Sequence, residues 1–71
     1  MAWTADLTND PHNDFRLCID VMEGDRHRAT INRNSTGRLV LTVYPSENGS
    51  FDVPVEWLSG ILAAAERDLT I

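Results

Sequence analysis

The chain reads as an α+β domain: a four-stranded antiparallel β-meander followed by one C-terminal α-helix packed on one face, in the order ββββα. Three observations predict it. Residues 15–53 alternate apolar and polar with a period of two, interrupted by clusters of turn-forming residues. Residues 55–69 switch to a period of 3.6. The turn signals recur at spacings of about eight to twelve residues, as consecutive hairpins require.

Residues 1–14 permit an extra edge strand, because Trp3, Ala5 and Leu7 alternate, but Trp3 and Leu7 also stand one helical turn apart. The polar run from Thr8 through Pro11 to Asp14 reads as a loop. The domain proper is therefore placed at 15–71, with 1–14 as a loop-like or edge-strand segment. The first strand covers 15–22, with Phe15, Leu17, Ile19 and Val21 on one face. Glu23-Gly24-Asp25 turns the chain into a more polar strand over 26–33, where Ala29 and Ile31 point inward and His27 shares their face or ends the strand. Asn34-Ser35-Thr36-Gly37 makes the next turn, and 38–44 the third strand, with Leu39, Leu41 and Val43 inward. After the turn at 45–49, residues 50–53 form a short fourth strand with Phe51 and Val53 inward.

The helix follows from spacing. Val55, Leu58, Leu62, Ala65 and Leu69 fall at three- and four-residue steps, with Trp57 and Ile61 widening the stripe on one flank. Pro54 suits the first turn, Asp52 is a candidate cap and Glu56 favours the positive end of the helix dipole. Gly60 lies mid-helix at a cost of about 1 kcal/mol against alanine. It marks either a close approach to a strand or simple tolerance.

Seventy-one residues allow one domain with a thin core. No apolar run approaches the roughly 18 residues of a membrane span. The N-terminus lacks the basic start and apolar core of a signal peptide, and Cys18 has no second cysteine to pair with. A reduced, cytoplasmic setting fits. The formal charge is −5 and every basic residue is arginine. An acidic surface disfavours non-specific contact with nucleic acid and favours basic partners or mimicry of a polyanion.

Motifs for chemistry are sparse. Asp6, Asp10, His12 and Asp14 carry oxygen and nitrogen donors, but the run lacks the glycine and bidentate glutamate of a calcium loop and reads as a solvated turn. His27 has no partner or cleft marked in sequence, and Cys18, on the face away from the core, reads as inert packing. No metal, cofactor or catalytic group is predicted, and the chain is not expected to be an enzyme. The two Asn-X-Ser/Thr matches, at Asn34 and Asn48, serve turns.

Two binding surfaces are predicted instead. Acids outside the core, Asp6, Asp10, Asp14, Glu23, Asp25 and Glu47, form a rim suited to a basic protein partner. By alternation, Arg16, Arg26, Arg28 and Arg38 leave the sheet on the face away from the helix with Tyr44, an alternative surface for a nucleic-acid backbone and a stacked base.

The element order, with Trp57 early in the final helix, is similar in outline to that of single-stranded-DNA-binding coactivators, in which a four-stranded antiparallel sheet precedes a helix. That resemblance is one of topology over the last three-quarters of the chain. The lysine-rich binding strands of that family have no counterpart here. As a small, acidic, single domain without catalytic signatures, the chain also resembles phage-borne inhibitors of the anti-CRISPR type. This second resemblance implies a non-enzymatic protein that binds a nucleic-acid-handling complex.

Overall fold

The computed structural model describes residues 2–69. Four antiparallel strands form one open sheet: β1 (Trp3–Asp10), β2 (Arg16–Glu23), β3 (Arg26–Arg33) and β4 (Leu39–Val43). They lie side by side in chain order, and one helix, α1 (Val55–Asp68), follows. The architecture is the ββββα meander that the periodicities predict. Its membership differs at both ends. The N-terminal segment is a full strand, paired with β2 from Trp3↔Glu23 to Asp10↔Arg16. Residues 50–53 are not a strand.

The physical reason lies with three aromatic rings. Trp3 sits 6.2 Å from Phe51 and 5.7 Å from Trp57, centroid to centroid. To bring Phe51 and Trp57 to β1, the chain leaving β4 must cross the end of the sheet instead of pairing with its edge. The turn that launches this crossing is held by Ser46 Oγ donating to the Ser50 carbonyl at 2.8 Å and Gly49 N–H donating to the Ser46 carbonyl at 3.1 Å.

Turn chemistry sets the register elsewhere. Gly24 (φ 63) opens the two-residue link between β2 and β3, with left-handed φ only at its first position, the pattern of a type II′ hairpin. Asn34 Oδ1 accepts from the Thr36 and Arg38 amides at 3.0 and 3.1 Å, an Asx cage that shapes the β3–β4 loop.

The core is small. Ile19, Val21, Ala29 and Ile31 from the sheet meet Ala65 and Leu69, with Trp3, Ala5, Leu39, Trp57 and Ile61 packed around them. The helix therefore presents the row Trp57, Ile61, Ala65 and Leu69. The expected stripe is rotated by about one residue: Val55 is 77% exposed and Leu62 41%. The row through Leu58 and Leu62 runs into Glu66 at its next i+4 position, whereas the row through Trp57 stays apolar to Leu69. Asp52 does not cap the helix; the N-cap is Pro54, without a side-chain cap bond.

At its far end the helix is tied down by Arg33. The Arg33 guanidinium donates to the Leu69 carbonyl and, at 2.7 Å, to the Gly37 carbonyl. A cation there also complements the negative end of the helix dipole. With its start on Trp3 of β1 and its end on Arg33 of β3, the helix crosses the sheet diagonally. Leu7 and Leu17 at one corner and Leu41 and Val43 at the other stay 41–55% exposed. Among the described residues no helix is long and apolar enough to cross a membrane.

Candidate interaction face

The sheet face away from the helix is shaped by one irregularity. Val21 pairs with Ala29, but Met22 pairs with His27, so Arg28 is an extra residue on β3. A bulge of this kind inverts the inside–outside alternation of what precedes it. His27, expected beside Ala29 and Ile31 or at the strand's end, lies on the open face one residue inside the start of β3. Arg28, expected on the open face, turns toward the helix side. Its Nε and Nη2 donate to Glu23 Oε1 at 2.9 and 2.8 Å, and its guanidinium lies 4.9 Å from the centre of the Phe51 ring.

The predicted arginine surface therefore does not assemble. Arg28 is sequestered, with 11% of its side chain exposed. Arg26 lies in the β2–β3 hairpin, opposite Glu23 in register. Arg16 and Arg38 lie at the opposite end of the sheet, Arg16 opposite Asp10 and Arg38 in the Asx loop. Only Tyr44 reaches the middle of the open face. Its hydroxyl is 3.1 Å from Thr30 Oγ1, and its ring is 4.8 Å from that of His27.

The acids divide into four places. Asp6 and Asp10 sit on β1 with side chains on the open face, joined by Asp20 of β2, which the sequence reading left out. Asp6 and Asp20 are direct cross-strand partners. Asp14 lies in the β1–β2 loop with φ 54, next to Phe15 at φ 56. Two consecutive left-handed residues without glycine are strained, by about 1–2 kcal/mol each. Glu23 is engaged by Arg28. Asp25 and Glu47 lie at the far end, lining a shallow depression of about 370 Å³ with Arg26 and Ser46.

The centre of the face is a groove of about 530 Å³, lined by Thr8, Asp10 and His12 on one side and Cys18, Asp20, His27, Thr30 and Tyr44 on the other. Asp10 Oδ1 accepts the His12 amide at 2.9 Å, which fixes the loop at the groove's mouth. His27 Nε2 is 3.0 Å from Thr30 Oγ1 and 3.3 Å from Asp20 Oδ1.

A carboxylate, an imidazole and a hydroxyl in contact invite comparison with a catalytic triad. A relay requires the carboxylate on one ring nitrogen and the nucleophile on the other. Here both contacts fall on the same nitrogen. The thiol of Cys18 is no better prepared. Burial, then the nearby Asp20 and Asp10 carboxylates, push its pKa up, which holds it protonated and poorly nucleophilic. Among the described residues no group of three or more His, Cys, Asp or Glu side chains converges as metal ligands would.

Of the residues that sequence reasoning left out of its sites, Asp20, His27 and Thr30, only His27 was hidden by the bulge. Asp20 carried a usable signal, since it shares a face with Cys18 in plain alternation. No protein family matches this chain, and neither does any curated protein or solved structure.

Proposed function

We propose that this chain is a non-enzymatic protein-interaction module whose open sheet face occupies a basic surface on a nucleic-acid-handling partner, as the small acidic inhibitors it resembles do. The observation that carries the reading is the Asp6–Asp20 pair. Like charges placed directly opposite on adjacent strands destabilise a sheet. The one ring nitrogen near Asp20, His27 Nε2 at 3.3 Å, is shared with Thr30 Oγ1. A fold with a core this small retains such a pair at a cost, and a basic partner would repay it. Asp10 extends the acidic strip to the groove's mouth, and Thr4 and Thr8 on the same strand supply hydroxyls beside it. A cytoplasmic location fits the free Cys18.

Affinity capture from a cell lysate with the wild-type chain and with Asp6→Asn/Asp20→Asn tests this. The wild type is expected to retain proteins that raised salt and added nucleic acid both release, because exposed charge is screened and the two ligands compete. The double variant loses them. Equal retention by the variant, or capture insensitive to salt and nucleic acid, contradicts the reading.

A further inference from the structure

We propose that the outer edge of β4 is a self-association surface, on which a second copy of this chain pairs antiparallel and extends the sheet to eight strands across a two-fold axis. The inference is independent of what the open face binds.

The backbone shows which groups are free. Tyr44 N–H donates to the Arg28 carbonyl, and Asn34 N–H donates to the Arg38 carbonyl. In an extended strand the N–H and C=O of one residue point to the same side and alternate along the chain. Residues 38, 40, 42 and 44 therefore face β3, and Leu39, Leu41 and Val43 direct theirs outward. Among the described residues nothing pairs with that edge, because the segment after β4 crosses the end of the sheet.

The edge also lacks the usual protection. Strand edges are defended by charges, proline or bulges. The outer edge of β1 carries Asp6 and Asp10. The β4 sequence LVLTV has no charge, proline or bulge, and its Leu41 and Val43 are 41% and 55% exposed. On a chain of net charge −5 this is, of the two edge strands, the one on which two copies meet without acid facing acid.

The occupant follows from symmetry and charge. With Leu41 opposite Leu41 of the second copy, Leu39 faces Val43 and Val43 faces Leu39. All three outward residues on each copy then exchange hydrogen bonds. The same register sets Arg38 of one copy beside Tyr44 of the other, at the start of the turn that carries Glu47. An exposed arginine and an exposed glutamate thus meet twice, once on each side of the axis.

Sedimentation velocity over a wide concentration range, from dilute to millimolar, tests this. The wild type is expected to move from the 8.0 kDa monomer toward twice that mass. Leu41→Lys weakens association by more than about 100-fold, since it removes an apolar contact and sets like charges across the axis. Arg38→Glu weakens it by about 10-fold, and Arg38→Glu/Glu47→Arg restores it. Where Leu41→Lys fails to fold by circular dichroism, the charge swap decides. A wild-type chain that stays monomeric throughout, or association unchanged by Leu41→Lys or by Arg38→Glu, overturns the proposal.

Discussion

At the scale of single residues, one insertion decides what the open face presents. Because Arg28 is extra, His27 joins Asp20, Thr30 and Tyr44, and Arg28 is used up on Glu23 and Phe51. The Asp6–Asp20 pair then has a measurable consequence. Asp6→Asn is expected to stabilise the fold by roughly 0.2–1 kcal/mol in urea melts at low salt while weakening partner binding. A residue that stabilises when removed and weakens binding when removed is held for binding. Cys18 gives a second prediction. Its folded-state pKa lies above that of the unfolded chain, so the associated stability is fully present below the ordinary thiol range and is lost as pH rises through the raised value. As pH rises past the ordinary thiol range the wild type should lose stability more steeply than Cys18→Ala, and native Cys18 should react slowly with thiol reagents. The part of this that depends on Arg28, the place of His27, is not legible in the sequence. Alternation places Asp6, Asp10 and Cys18 on their faces, but it assumes an unbroken period of two. The sequence around Arg28 carries neither glycine nor proline to flag the bulge.

At the scale of elements, the sheet's hairpins were written in turn chemistry, and the strands over 16–23, 26–33 and 39–43 fall close to where the alternation sets them. The errors lay where a strand or a face depends on a distant partner. Trp3, Ala5 and Leu7 fit a strand or a helical turn equally well until β2 pairs with them. The 50–53 segment alternates as a strand would, yet Phe51 is claimed by Trp3. The helix had two apolar rows, and docking on Trp3 selected the one through Trp57. Ile61→Ala should therefore cost about 2 kcal/mol or more, and Leu62→Ala less than about 1 kcal/mol, in thermal or urea unfolding. An equal cost at the two positions would contradict the rotated stripe. Gly60 supports the same geometry. A Cβ built there meets nothing within 4 Å, so no strand approaches it closely. Gly60→Ala should stabilise the chain by about 0.5–1 kcal/mol through helix propensity alone.

At the scale of the whole molecule, a diagonal helix on a four-stranded sheet covers only the middle of the apolar face. The opposite face carries most of the polar chemistry, with the acids of β1 and β2 around a groove. The net charge of −5 is thus unevenly spread: Asp6, Asp10 and Asp20 gather on one half of the open sheet, while Arg28 and Arg33 are consumed by packing. That distribution favours a cationic protein surface over a polyanion. It is tested most directly by following backbone amide resonances while the chain is titrated, at low salt, with an arginine-rich peptide and separately with a single-stranded oligonucleotide. The account predicts that the peptide shifts residues 4–10 and 18–20, that the shifts fade with added salt, and that the oligonucleotide leaves the open face unmoved. Shifts on the open face caused by the oligonucleotide, or peptide shifts confined to residues away from Asp6 and Asp20, would contradict it.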